Sequence, residues 1–177
     1  MAVSKAVWPF LQDHDRWGLM TVTIEPQTQD HASGLFDALQ DERIYQFLDD
    51  GPPVSVQALR DRIGRLQAGA PADSGEAWLN WTVFEHGAIV GYTQATIYDT
   101  GTASLAFVLS PQVWGKSVAY AASNLTLVEL KNRPDVSEIV ADTEVENLRS
   151  QALLERLGFR RTHVTGQDVF YALVEPL

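Results

Sequence analysis

The sequence predicts an α/β (α+β) fold, a mixed and mostly antiparallel central sheet of about 6–7 strands flanked by about four helices. Three observations on the 177-residue chain carry this expectation. Apolar residues recur at helical spacing between Leu35 and Leu66. The period switches to two between Leu79 and Leu109. A long helix with one apolar face follows, and short strand-like and helical runs alternate from there to the end.

Residues 1–17 show no period, with Trp8, Phe10 and Trp17 scattered among charges, and are expected to form an arm ahead of a single domain over 18–177. Thr21, Val22, Thr23 and Ile24 are β-branched and read as a strand from Gly18, stopped by Pro26. Thr28 or Asp30 can cap the next helical segment. Leu35, Phe36 and Leu39, then Ile44, Phe47 and Leu48, fit two helical segments broken near Asp41, and Asp49 to Pro53 is a loop. Ser55 opens a helix lined by Val56, Leu59, Ile63 and Leu66, which ends in the polar loop Gly69 to Gly75.

Leu79, Trp81 and Val83 then alternate with Asn80 and Thr82. The Glu85 to Gly87 turn leads into a strand over Ala88 to Tyr98. Asp99 to Gly101 is a second turn, and Ala103 to Leu109 reads as a central strand ended by Pro111. From Trp114 onward Val118, Ala122, Leu125 and Val128 line one face of a long helix that closes at Asn132 to Pro134. Ile139 to Ala141 is a short buried strand. Asn147 to Leu157 is a helix ending at Gly158, which suits a left-handed cap. Two last strands, Phe159 to Val164 and Asp168 to Val174, are separated by Gly166.

Charge and composition narrow the function classes. Thirteen Lys and Arg against 23 Asp and Glu leave a net charge of −10, which repels nucleic acid unless a basic stripe is hidden, and none is visible. With 45% apolar and 10% aromatic residues the chain can bury a sizeable core. Cysteine is absent, so thiol nucleophiles, thiolate metal sites and disulfides drop out together. His14, His31, His86 and His163 lie far apart with no i, i+4 pair, so no metal site is expected. The N-terminal stretch is broken by Pro9 and Asp13 and lacks a signal-peptide core, and no apolar run approaches the roughly 18 residues of a membrane helix. The expectation is a soluble cytoplasmic protein, a monomer or homodimer.

Chemistry concentrates between Ala103 and Ala122, where a strand feeds a helix start and its unpaired N–H groups. Gly115, Lys116 and Ser117 match the end of a nucleotide phosphate loop, and Ile139 to Asp142 resembles an apolar strand ending in a metal-binding acid. The first glycine of that motif is Ser110 here, however, Pro111 has no N–H, and Val113 and Trp114 crowd the loop. Gly115, Ser117 and Ala119 approximate a nucleophile elbow, but Pro111 to Trp114 separate the serine from the strand. A third pattern, Gln/Arg-x-x-Gly-x-Gly/Ala, turns successive amides toward the pyrophosphate of an acyl-CoA.

The third pattern brings a resemblance with it. AFVLSPQVWGKSVAYAASNL (Ala106 to Leu125) followed by ENLRSQALLERLGFRR (Glu146 to Arg161) resembles the GNAT superfamily of N-acetyltransferases, and within it the branch that acetylates ribosomal-protein N-termini. In that branch the loop commonly reads W-G-x-G-x-A, met here by Trp114, Gly115 and Ala119. The later helix reads N-x-x-S-x-x-x-L-E-x-x-G-F, met by Asn147, Ser150, Glu155, Gly158 and Phe159. The resemblance covers about residues 18–174.

It implies direct attack of a neutral amine on acetyl-CoA as co-substrate, with no acyl-enzyme. The acceptor would be a small-molecule or peptide amine: a peptide N-terminus, an amino acid, a polyamine or an aminoglycoside. Backbone groups of Phe107, Val108 and Leu109 would pair with the pantetheine arm. Trp114, Gly115, Lys116, Ser117, Val118 and Ala119 would grip the pyrophosphate, and Asn147 and Ser150 would face the arm from the other side. Ser150 is the expected general acid. Asp142, Asp168 and Glu85 are the candidate bases. Tyr45, Asp49, Asp50 and Trp81 are expected around the acceptor.

Simpler roles compete at several positions. Gly115 and Ala119 can merely ease a helix start, Asn147 is equally an N-cap, Ser150 can be a solvent-facing serine, and Trp81 can be core. Two departures from the family also bear on function. Ser117 replaces a central glycine, which is costly if the position needs φ > 0 and cheap if it is helical. Leu154 stands where many relatives place an acid tyrosine. Together they motivate a rival reading, a non-catalytic acyl-CoA sensor.

Overall fold

A computed structural model describes residues 22–174; the expected arm over 1–17, and residues 18–21 of the expected first strand, lie outside the described residues. Seven strands form one sheet: β1 (Val22–Pro26), β2 (Glu76–Glu85), β3 (Ala88–Tyr98), β4 (Thr102–Leu109), β5 (Glu138–Glu144), β6 (Phe159–Thr165) and β7 (Asp168–Leu173). Four α-helices accompany them: α1 (Ala32–Ala38), α2 (Val56–Ala68), α3 (Val118–Lys131) and α4 (Leu148–Arg156). Among the described residues no helix is long and apolar enough to cross a membrane.

The sheet runs β1-β2-β3-β4-β5-β7-β6, and every neighbouring pair is antiparallel except β4 and β5. Tight turns join three of the antiparallel pairs, β2–β3, β3–β4 and β6–β7. His86 and Gly87 both take positive φ in the β2–β3 hairpin, as a two-residue turn requires. The β4–β5 pair is joined instead through α3, as a parallel connection must be.

That pair is also where the sheet opens. β4 and β5 are in register only over Thr102–Ser104 and Glu138–Val140. Beyond that point β4 stays with β3 as far as Leu109, while β5 turns to β7 from Val140 to Glu144. Nothing in the ladder joins the two strands past Ser104, so a wedge opens between the middle strands. Gly91 keeps β3 close to β4 there: at φ +149 a Cβ would run into the Val108 carbonyl and lie 2.7 Å from the Leu109 Cα.

Period two sorts the residues onto two faces. Ala95, Ile97, Ala103 and Leu105 join Leu127 and Leu130 of α3 and Leu154 of α4 in the largest core cluster. Tyr92 and Val108 point the other way, against Leu35, Leu59 and Ile63 of α1 and α2. The buried hydroxyls of Thr93 and Thr126 meet at 2.7 Å and Thr126 Oγ1 donates to the Ala122 carbonyl at 3.1 Å, which pins α3 to β3 without an unsatisfied polar pair.

Several boundaries differ from expectation for local reasons. The second segment of the expected helix pair is a 3₁₀ run, Glu42–Phe47, capped by Asp41 accepting from the Arg43 amide. Pro111 starts a further 3₁₀ turn, Pro111–Val113, and α3 begins at Val118, four residues later than Trp114. The delay comes from Gly115 at φ +75 and Ser117 at φ +61, both left-handed and incompatible with a continuous helix.

Candidate active site

The wedge between β4 and β5 widens into a cleft of about 1500 Å³, walled by α2, the 3₁₀ run, β4, the head of α3, α4 and the β6–β7 turn. Most of the expected site residues line it. From β4 come Phe107, Val108 and Leu109; from the loop ahead of α3 come Trp114, Gly115 and Ser117, and from the first turn of α3 comes Ala119. Asp142 on β5, Asp168 on β7, and Asn147 and Ser150 at α4 face them, with Tyr45, Asp49 and Asp50 on the opposite wall.

Three expectations are corrected, and a fourth, Val118, is narrowed to its backbone. Trp81 is only 8% exposed and belongs to the main core beside Ile97 and Leu105, away from the cleft, because its odd register on β2 points it at α3. Lys116 lies outside the lining, exposed, and its amide is taken by the Val113 carbonyl at 3.3 Å. The Val118 side chain is fully buried under α3, so only its amide is free to face outward. Glu85 sits at the β2–β3 turn, paired in register with Val22 and Ala88, remote from the other candidate bases.

The head of α3 is built to present donors. Its first full helical bond runs from the Ala121 amide to the Ser117 carbonyl at 3.0 Å, so the amides of Val118, Ala119 and Tyr120 have no partner inside the helix. Ser117 is the N-cap, yet its side chain makes no cap bond; its oxygen accepts from Arg156 Nη1 at 3.1 Å. A Cβ at Gly115 would meet nothing within 4 Å, so the space in front of the loop is open. Phosphate suits such an array, since it combines unpaired N–H groups with the positive end of the helix dipole.

Trp114 anchors the loop. Its indole Nε1 donates to the Leu109 carbonyl at 3.0 Å, and its ring lies 3.9 Å from the Arg149 guanidinium and 6.0 Å from that of Arg43. Arg43 is itself held by Asp41, whose carboxyl it pulls down to about 2 through their hydrogen bonds. Arg156 stacks 4.1 Å over Tyr120. Arg149 and Arg156 escape a motif-based reading, although a pair of arginines seven residues apart on one helix of an acidic chain is visible in the sequence.

Carboxylates gather on the β5–β7 side. Asp142 is opposite Phe170 and Glu144 opposite Asp168, so the three acids share the sheet face that α3 and α4 leave uncovered. Burial by the cleft wall, and then the like charge of Asp168, raise the Asp142 carboxyl above its ordinary range. Asn147 Oδ1 accepts from the Ser150 amide at 3.2 Å, so it does cap α4. Leu154, 1% exposed, is core, and a hydroxyl for the cleft has to come from elsewhere.

On the opposite wall the phenols of Tyr45 and Tyr92 stay neutral. Burial, with added charge from Tyr92 and Asp50, pushes Tyr45 up to about 12, and burial raises Tyr92 in the same direction. Tyr45 donates to the Leu39 carbonyl at 2.8 Å, and Asp50 pairs with Arg62 at 3.3 Å.

Comparison with known proteins bears on the family and the fold. Residues 21–160 match a family model described as an acetyltransferase (GNAT) domain. RimL, a ribosomal-protein alpha-N-acetyltransferase solved with coenzyme A, superposes with a TM-score of 0.74 at 17% identity, over 85% of this chain and 92% of its own. The aminoglycoside acetyltransferase AAC(6')-Ib with coenzyme A gives 0.71 at 18% identity, over 86% and 93%. A GNAT acetyltransferase from Bacillus anthracis gives 0.70 at 17% identity, over 86% and 94%.

Proposed function

The chain belongs to the GNAT acetyltransferases, acetyl-CoA-dependent acyltransferases, and we propose that it transfers the acetyl group to the primary amine of a cationic small molecule or peptide N-terminus. The observation that carries this reading is a convergence on one cleft: the unpaired edge of β4, the free amides at the head of α3, and the acids of β5 and β7. The nucleotide phosphate loop and the nucleophile elbow lose support, since the 3₁₀ turn Pro111–Val113 occupies the stretch that would wrap a phosphate and separates Ser117 from the end of β4.

The residues present suit acetyl-CoA. Val118, Ala119 and Tyr120 offer amides to its diphosphate, and the splayed edge of β4 at Phe107–Leu109 offers main-chain groups to its pantetheine arm. When bound it supplies an activated thioester carbonyl. An amide of the same edge stabilises negative charge as it develops on that carbonyl oxygen. Asp142 takes the ammonium proton, a task its raised carboxyl suits better than an ordinary aspartate would. Ser150, on the first turn of α4, gives a proton to the thiolate as the C–S bond breaks and recovers one from the newly acylated nitrogen.

Asp142, Glu144 and Asp168 supply the negative field that favours a cationic acceptor. The branch that acetylates ribosomal-protein N-termini fits the two motifs and the RimL superposition, and a polyamine or an aminoglycoside fits the same charge. Turnover assays across such a panel, with release of free CoA measured beside calorimetric acetyl-CoA binding, test the proposal. Binding without CoA release on any amine would leave an acyl-CoA sensor in its place.

A further inference from the structure

Ser117 breaks two rules at once. It is a non-glycine residue at φ +61, ψ +10, and it is the N-cap of a 14-residue helix whose side chain caps nothing. A serine at this position ordinarily takes extended backbone angles and folds its oxygen onto the N2 or N3 amide, here Ala119 or Tyr120. One contact lies beside both departures. The Ser117 oxygen accepts instead from Arg156, a residue 39 positions later that is steadied by stacking 4.1 Å over Tyr120.

We propose that Arg156 is a positioning residue for the cofactor loop: by engaging the Ser117 hydroxyl it prevents self-capping of α3 and so keeps the first-turn amides available to the acyl-CoA diphosphate. The inference rests on the acetyl-CoA reading above. A central glycine needs no such partner, since it takes positive φ freely and has no side chain to compete for the amides. Serine brings both problems, and a guanidinium within hydrogen-bond reach answers both. Once Arg156 is removed, Ser117 relaxes toward an ordinary N-cap. The cap consumes a donor the ligand needs while strengthening the helix end.

The expected signature is therefore an affinity loss without a stability loss. Arg156→Ala should weaken acetyl-CoA binding roughly tenfold by calorimetry, as for loss of one hydrogen bond to a charged group. The melting temperature of the ligand-free protein should stay level or rise. In a Ser117→Gly background the same Arg156→Ala change should alter affinity less than about twofold, because nothing is left to restrain. Arg156→Lys, which can still donate to the hydroxyl, should recover part of the loss.

Equal weakening in both backgrounds would overturn the proposal and make Arg156 a direct ligand contact. A lowered ligand-free melting temperature with unchanged affinity would make it an ordinary structural contact. Hydrogen exchange separates this inference from the acetyl-CoA reading. In ligand-free protein, Arg156→Ala should slow exchange at Ala119 or Tyr120 when residue 117 is serine, and leave it unchanged in the Ser117→Gly background. Failure of the parent protein to bind acetyl-CoA would sink the cofactor reading, whereas unchanged exchange would sink the role given to Arg156.

Discussion

The Arg149 guanidinium lies 3.9 Å from the centre of the Trp114 ring, so the helix carrying Ser150 also grips the loop ahead of α3. Two walls of the cleft are thereby coupled through one side chain. At an exposed site such a contact contributes about 0.5–1 kcal/mol. Arg149→Ala should weaken acetyl-CoA binding about two- to fivefold in calorimetry. An unchanged dissociation constant would mean that the stack does not steady the loop.

Gly115 sits at φ +75 with open space beyond its missing Cβ, so a substitution there acts through backbone strain and through what it places in front of the amides. Gly115→Ala incurs only the left-handed cost of about 1–2 kcal/mol and should weaken acetyl-CoA binding roughly tenfold. Gly115→Glu adds a carboxylate where a diphosphate is expected and should abolish detectable binding. Retained affinity in Gly115→Glu would take the loop out of the site.

Ser150 is the proposed acid, and its loss should separate turnover from binding. Removing a general acid costs about 10²-fold or more in kcat, while the acetyl-CoA dissociation constant depends on the loop and β4. Steady-state kinetics of Ser150→Ala should show that split. Equal turnover would pass the role to another group or to solvent.

Asp142 titrates above the ordinary aspartate range through burial and through Asp168. A base must be deprotonated to act, so the acid limb of the kcat/KM profile should lie at higher pH than for an unperturbed carboxylate. Asp168→Asn removes the like charge that disfavours ionised Asp142, lowers its pKa, and should move that limb to lower pH. Asp142→Asn should remove the limb along with most of the activity. A profile indifferent to Asp168→Asn would exclude Asp142 as the base.

Leu154 occupies a core position at 1% exposure, packed with Phe159 and Tyr171 rather than turned to the cleft. Leu154→Ala should cost about 2–5 kcal/mol in chemical denaturation. Leu154→Tyr should cost about 1–3 kcal/mol by overpacking and bring no gain in turnover. Faster turnover in Leu154→Tyr would show that the ring reaches the cleft, against the observed packing.

Much of this arrangement is legible in the chain itself, because it is written at short range. The switch from helical spacing at Val56, Leu59 and Ile63 to alternation at Leu79, Trp81 and Val83 marks where α2 ends and the hairpins begin. Ser55, Asn147 and Gly158 announce helix ends through their local chemistry, and each is found at one. Trp114, Gly115, Ala119, Asn147 and Ser150, singled out by their spacing, all line the one cleft. Pattern counting fails at the 3₁₀ run Glu42–Phe47 and at the late start of α3, where the backbone departs from a single period.

Trp81 and Arg156 mark the boundary from opposite sides. Alternation puts Trp81 on a strand, but which face it occupies depends on where α3 lands, and α3 covers it. Arg156 reads as an ordinary charge near a helix end until folding brings it to Ser117. The order of elements and the residue types of the loop ahead of α3 are properties of the chain alone, since dihedral preference and hydrophobic period act between near neighbours. The splay of β4 from β5, the left-handed state of Ser117 and the raised Asp142 carboxyl belong to the fold, since each depends on groups that meet only after distant segments have packed.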